Sequence, residues 1–247
     1  MRRRRRNRKW IIPVILLMLV ISCGLLLRFV FVVRGVEVTG NSGAVSKESV
    51  VRFAQLGFGT SILKVDREEI EDRINASGSI KFVDMSIRYP DTVCLEVKVR
   101  NREAMMLHMG KIRILDAEAY VMRIMDEVPD LDLVYVSGMN AMSCERGQQI
   151  RADEEKIQAY CAVIEALNCH GADIYVSELK LDDVQNMQII TRTGITVNLG
   201  DVNKISDKVA WMKSAVADLE YRGERGGLLD VSSGNKADYS LSAPATE

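Results

Sequence analysis

From Trp10 to Val33 the chain runs for 24 residues with one charged side chain, Arg28. As a helix, a run of that length reaches about 35 Å, enough to cross a bilayer hydrocarbon core of about 30 Å with some tilt. Pro13 falls in the first turn, where its missing N–H costs least. Arg28 falls near the far end, where its long stem can snorkel to the headgroups. The near flank carries seven cations, Arg2 to Arg6, Arg8 and Lys9, and the far flank Arg34 alone. That asymmetry predicts a cytoplasmic tip at 1–9, a membrane helix at 10–33 and an extracytoplasmic remainder.

Two other fates for such a segment leave traces of their own. A cleaved secretory signal needs a shorter apolar region and a small-residue cleavage site, and neither is clear. Val20-Ile21-Ser22-Cys23 resembles the box at which bacterial lipoproteins are cut and acylated. The ten residues after Cys23 are almost all apolar, however, where an acylated protein normally begins with a polar tether, so the reading stays with an uncleaved anchor.

Beyond the anchor, 33 Lys and Arg less the seven at the tip, Arg28 and Arg34 leaves 24 against 34 Asp and Glu, a balance of −10. An outer part of that charge is not built to neutralise phosphates, so nucleic acid is not an expected partner. The five cysteines, Cys23, Cys94, Cys144, Cys161 and Cys169, have no CxxC spacing and an odd total, which argues against a disulfide scaffold or a zinc site. Asn75-Ala76-Ser77 fits a glycosylation sequon, a pattern too short to carry weight.

The outer chain divides by periodicity. Val36 and Val38 alternate in a short strand, Gly40-Asn41 and Gly43 are turn residues, and Ser46 is placed to cap a helix over Lys47–Leu56 that Gly57 and Gly59 stop. Asp66 and Glu69 have the spacing of a capping box for a second helix carrying Ile70 and Ile74. Val83, Met85, Ile87 and Tyr89, then Val93, Leu95, Val97 and Val99, alternate on either side of Pro90-Asp91 as a hairpin with one buried face. Strand, helix, helix, strand, strand is enough for a small three-stranded sheet under two helices.

A short polar hinge at Arg100-Asn101-Arg102 is expected before the second outer domain. There Ile112 to Leu115, Tyr120 to Ile124 and Leu131 to Val136 read as short strands. A helix capped by Asp153 follows, carrying Ile157, Tyr160, Cys161, Ile164 and Leu167. A meander comes next (Ile174 to Leu181, Met187 to Thr191, Ile195 to Leu199), then a second amphipathic helix marked by Ile205, Val209, Met212, Val216 and Leu219. Leu228 to Val231 form a last short strand, and the tail from Ser240 lacks periodicity.

Residues that could carry chemistry are sparse. The histidines are His108, in a strand-like run, and His170, at a helix end beside Cys169. No nucleophile elbow, phosphate-binding loop or zinc-protease motif occurs. The acid pairs Asp130/Asp132 and Asp182/Asp183 lie in turns, and Met105, Met106 and Met109 fit core filling better than soft-metal binding. A final short strand after a long helix is expected to leave a sheet edge that either accepts a partner strand or is protected by charge or by the tail, and the sequence favours neither.

The opening of the outer part, "VRGVEVTGNSGAVSKESVV", resembles the FtsQ/DivIB family of bacterial cell-division proteins, through Val36, Val38, Gly40, Asn41, Val45, Ser46 and Glu48. There the outer part starts with a polypeptide-transport-associated (POTRA) domain. "VDMSIRYPDTVCLEVKV", "RILDAEAYVM", "VPDLDLVYVSG", "TGITVNLGDVNKISDKVAWMKSAVADL" and "GGLLDVSS" are similar, in that order, to later elements of the family. Two positions depart: Ala119 stands where the family has Gly, and Glu103 where it has Pro.

The resemblance implies an α+β chain with an N-terminal transmembrane helix (10–33), a POTRA domain of βααββ order (35–101), a mixed β domain with two amphipathic helices (102–239) and a flexible tail (240–247). It further implies a non-enzymatic divisome scaffold in the cell membrane at the division septum. FtsB/DivIC-like and FtsL-like proteins are the implied partners, with septal wall synthase proteins beside them. The partner strand would add at Leu228, Leu229, Asp230, Val231, Ser232 and Ser233, the C-terminal edge of the β domain. No catalytic residue, cofactor or metal is implied. The rival is a membrane-anchored or lipid-modified cell-wall enzyme using a carboxylate such as Asp182.

Overall fold

The computed structural model describes residues 11–40 and 45–241, apart from the side chains of Ile11, Cys23, Leu26, Leu27 and Arg28. The basic tip at 1–9, the turn residues Asn41 and Gly43, the thiol of Cys23 and the tail beyond Leu241 lie outside that description. The chain divides into two compact units, one reaching to Asn75 and including Ile80–Val99, the other formed by Ala76–Ser79 with Arg100 onwards.

Helix α1 covers Ile11–Val30, and its described apolar side chains are exposed, Ile12 to 71 % and Phe29 to 67 %. Taken over the described residues alone, no helix is long and apolar enough to cross a membrane. Five side chains of α1 fall outside that description. The apolar run outlasts the helix by three residues because Phe31, Val32 and Val33 belong to the next layer. Val33 is fully buried, and Phe31 meets Tyr89 edge-on with ring centres 6.0 Å apart.

The first unit carries β1 (Gly35–Thr39), α2 (Lys47–Ala54), α3 (Arg67–Ala76), β2 (Ile80–Arg88) and β3 (Thr92–Val99), in a sheet of order β1-β3-β2. β1 runs parallel to β3, a pairing that needs a crossover rather than a tight turn, and α2 and α3 supply it. Ser46 caps α2, its hydroxyl accepting from Ser49 N at 3.2 Å. The helix ends earlier than the glycines suggest, with Gln55 turning left-handed at φ 51°. Asp66 caps the start of α3, accepting from Glu68 N at 3.0 Å, while Glu69 pairs along the helix with Arg73. Val50, Ala54, Ile70, Ile74, Phe82, Val93, Leu95 and Val97 close the core.

One face of β2 departs from strict alternation. Phe82 pairs with Val97 and Asp84 with Glu96, so Val83 is the extra residue of a β-bulge. The bulge turns Val83 outward, 45 % exposed, whereas the alternating pattern puts it on the buried face. It thereby lets Ile80 and Phe82 before it, and Met85 and Ile87 after it, pack on the same core.

The second unit is a nine-stranded sheet with two helices. Its strands are β4 (Ala104–His108), β5 (Lys111–Leu115), β6 (Val121–Met125), β7 (Val134–Ser137), β8 (Val176–Lys180), β9 (Met187–Thr191), β10 (Thr196–Gly200), β11 (Leu228–Asp230) and β12 (Asp238–Ser240). Their order is β12-β11-β10-β9-β8-β7-β4-β5-β6. The helices α4 (Glu154–His170) and α5 (Ile205–Tyr221) pack on each other and on the sheet through Tyr160, Val163, Leu167, Val209, Met212 and Val216. Met106 lies in this core. Met109 does not, because it occupies the β4–β5 turn at φ 48° and is 82 % exposed.

Arg100, read from the sequence as part of a polar hinge, is buried. Its guanidinium pairs with Asp116 and stacks 4.0 Å from the Tyr120 ring centre. Asp116 in turn accepts from the backbone N–H groups of Glu118 (3.0 Å) and Tyr120 (2.8 Å), and its carbonyl accepts from Tyr160 Oη at 2.7 Å. That turn holds Ala119 left-handed at φ 61°, the conformation for which a glycine is the natural residue. Glu103 N donates to Leu115 O at 3.0 Å, a bond that a proline at this position could not make.

Arg100→Met leaves the Asp116 carboxylate buried without its cation. It is expected to destabilise the second unit by about 3–5 kcal/mol, read from the denaturant midpoint. Burial raises the Glu103 carboxyl above its ordinary value of 4.5, so the folded state binds the proton more tightly than the unfolded chain does. Stability should therefore fall as pH rises through the window that opens at that ordinary value. Glu103→Gln should flatten this slope in melts run across the window, leaving the variant comparatively more stable at neutral pH.

Candidate partner-docking edge

The residues singled out as an open edge, Leu228 to Ser233, do not form one. β11 is hydrogen-bonded on both sides. Leu228, Leu229 and Asp230 lie parallel to Thr196, Val197 and Asn198 of β10, and antiparallel to Ser240, Tyr239 and Asp238 of β12. Leu229 and Val231 are fully buried in the core, and Val231 N donates to Asn198 O at 3.1 Å. Ser232 and Ser233 belong to the turn that follows, where Ser232 N donates to Asp230 Oδ1 at 2.8 Å. The outer strand is β12, so the sheet edge is displaced by one strand into residues that look like a tail.

Local chemistry explains why the chain doubles back here. Gly234, at φ 69°, sits in the connection, and its N–H donates to Val231 O at 2.9 Å. Lys236 and Asp238 pair at 2.6 Å across the start of β12. Tyr239 Oη donates to Gly226 O at 3.0 Å. Gly227, at φ 88°, lets the strands close up, since a Cβ there would meet Ser240 O at 2.7 Å and the Tyr239 ring at 2.9 Å. Asp238 and Ser240 are exposed and Tyr239 is half-buried, an alternation that gives the strand an outer row.

Helix α5 flanks this edge. Lys208 is buried and donates from Nζ to the carbonyl and Oδ1 of Asp201, both at 2.8 Å, which ties the helix to the end of β10. The same hydrogen bond holds the Asp201 carboxyl below its ordinary range. Trp211, 44 % exposed, and Ser214 line a shallow depression of about 450 Å³ whose other wall is the β11–β12 turn at Gly234 and Asn235. Trp211 thus stands exposed beside the turn that leads into the edge strand β12. Sequence reading missed Trp211, Asp238, Tyr239 and Ser240. The signal for Trp211 was its position off the buried stripe 205-209-212-216-219.

The other candidates lie apart from this edge. His170 Nε2 bonds Ser206 Oγ at 2.9 Å, and His108 ends β4 opposite Lys111. Asp132 pairs with Arg192 at 2.8 Å, while Asp130 and Asp182 are exposed. Asp183 braces its own turn through Gln185 N and Asn186, the latter hydrogen bond foremost in lowering its carboxyl. Asn75, the sequon residue, accepts from Phe82 N at 3.1 Å. The described cysteines are free thiols, and burial pushes Cys161 up to about 11. No group of metal-ligating side chains occurs among the described residues.

A three-stranded βααββ module precedes a β unit whose sheet ends at β12 on one side and β6 on the other. Residues 31–100 match the family model for a POTRA domain of the FtsQ type. The chain is 25 % identical over 175 residues to the cell division protein FtsQ of Syntrophotalea carbinolica, covering 69 % of this chain and 60 % of that one. It is 22 % identical over 204 residues to the cell division protein DivIB of Clostridium tetani, 82 % and 76 % of the two lengths. With FtsQ of Zymomonas mobilis it shares 28 % over 124 residues, 49 % of this chain but 39 % of the relative. Residues 31–100 are thus a POTRA domain of the FtsQ type, and the matches to FtsQ and DivIB proteins support the FtsQ/DivIB family.

If Gly227 is what allows β12 to seat, Gly227→Val should release it. Hydrogen exchange is expected to accelerate at the amides of 238–240 while those of β8 and β9 keep their protection. Unchanged exchange at 238–240 would remove the glycine from the account.

Proposed function

We propose that the protein is a non-enzymatic scaffold of the division machinery, anchored by α1 with its N-terminus in the cytoplasm and both outer units across the membrane at the septum. It binds a partner of the FtsB/FtsL or DivIC/FtsL kind by strand addition. The observation that carries the binding reading is β12, a strand hydrogen-bonded to β11 on one side only among the described residues. A partner strand laid against it would continue the sheet, main-chain bonds supplying affinity and Trp211 an anchor.

The anchor reading is supported by α1 itself. Its 20 residues rise about 30 Å, the thickness of a hydrocarbon core. The described Ile, Leu, Val and Phe side chains of α1 are exposed, and lipid is the solvent that suits them. The orientation follows from the seven cations before Trp10. The names borne by the relatives place them in cell division, and that role is carried to this chain here.

The test is site-directed photocrosslinking in dividing cells, using the full chain. A probe at Ser240 or Trp211 is expected to capture the FtsB- or DivIC-like protein, identified by its own antibody. A probe at Ile124, on β6 at the opposite edge, is not. Capture from Ile124 alone would overturn strand addition at β12. Trp211→Ala should weaken the captured complex by about 2 kcal/mol, the scale of an aromatic anchor.

A further inference from the structure

The first unit folds a loop back onto the end of α1. Three backbone hydrogen bonds pin the loop 59–62 to the residues that leave the helix: Val33 N to Thr60 O (2.9 Å), Gly59 N to Val33 O (3.1 Å) and Ile62 N to Phe31 O (3.0 Å). The loop is thus held within three residues of Val30, the last residue of α1. Between helix end and loop lies a depression of about 540 Å³. Phe29 and Val32 form its apolar wall, Thr60 and Ser61 bring hydroxyls, and Arg34 and Lys64 bring charge.

Those two cations are the informative part. Arg34 spends one donor of its guanidinium on Phe29 O (3.2 Å), satisfying a carbonyl at the helix end. Its remaining donors, and the Lys64 ammonium, have no partner among the described residues, and neither cation pairs with an acidic side chain there. The outer chain is otherwise acidic, so an acid-free pair of cations beside an apolar wall stands out from its surroundings. Phe58 and Leu63 lie on the same stretch of chain and are 69 % and 60 % exposed, side chains suited to the boundary between headgroups and acyl chains.

We infer that this depression binds the phosphodiester of an anionic phospholipid, with phosphatidylglycerol as the type. Arg34 offers a forked donor pair and Lys64 a point charge to the phosphate, Thr60 and Ser61 donate to it, and an acyl chain lies along Phe29 and Val32. The inference rests on the anchor reading, which brings the helix end to the headgroup level. It gives the absence of a linker before β1 a physical purpose: the POTRA domain is held at the lipid surface from two sides.

The test reconstitutes the full chain into nanodiscs of phosphatidylcholine alone or mixed with phosphatidylglycerol. Native mass spectrometry then counts the lipids that stay bound. Wild type should retain phosphatidylglycerol in preference to phosphatidylcholine. Lys64→Gln should weaken that preference several-fold, and Arg34→Gln with Lys64→Gln by about ten-fold or more, as two cations at an anionic surface imply. Arg34→Lys, which keeps the charge, should recover part of it. Lys64 is an exposed side chain, so its variant leaves the fold intact. Equal retention by wild type and double variant overturns the inference, as does inorganic phosphate occupying the site in phosphatidylcholine discs and blocking lipid retention there. A chain that enters neither disc overturns the anchor and this site together. Entry into both discs without lipid preference overturns the site alone.

Discussion

The buried pair of Arg100 and Asp116 organises the second unit. An uncompensated ion in that position would cost several kcal/mol, and most of the polar groups around it are arranged to compensate it. Asp116 receives the guanidinium and two backbone N–H groups, and its carbonyl takes the Tyr160 hydroxyl from α4. The pair therefore links Arg100, where the chain re-enters the unit, to the β5–β6 turn and to Tyr160 of α4. Tyr120 lies over the guanidinium and replaces water on its flat face. Ala119 accepts a left-handed backbone because that turn is over-determined by the bonds on either side of it.

From that fixed start the sheet grows outward to β12. β10 and β11 are parallel, so the chain must travel the length of α5 between them. The same crossover that completes the core sets Trp211 beside the β11–β12 turn. A buried lysine, Lys208, ties the start of that helix to Asp201 after β10. The edge strand is short and carries Asp238 paired with Lys236, features that discourage indiscriminate strand pairing while leaving the edge accessible.

The element order of the first unit, the two helices of the second with their buried stripes and the hairpin around Pro90-Asp91 are legible from periodicity alone, whereas β4 and β12 of the second unit are not. The misses share a cause. Val83 belongs to an alternating run, but a one-residue bulge moves it outward, and no local pattern announces a bulge. Met109 sits among strand residues yet occupies a turn, at a positive φ that methionine does not advertise. Val231 reads as part of the partner-accepting edge strand yet is buried, its N–H committed to Asn198. Arg100 read as hinge because a charged residue between two apolar runs has no sequence mark of the partner it will find at Asp116. Phe31 to Val33 read as part of a membrane span because apolar residues look the same whether lipid or a protein core will cover them.

What the sequence determined by itself was therefore the local part: an apolar segment with cations on one flank, the strand and helix periods, the caps at Ser46, Asp66 and Asp153, and the family likeness spread over them. These depend on residues within a turn or two of each other, so the chain states them directly. The tertiary structure alone decided which strand is the edge, which charges are buried, and which loop meets the end of α1. Those outcomes depend on hydrogen-bond and packing partners far apart in sequence. β12 is the sharpest case: three residues with no periodicity become a strand only because Leu228 to Asp230 present an unpaired row of backbone groups to which they can bond.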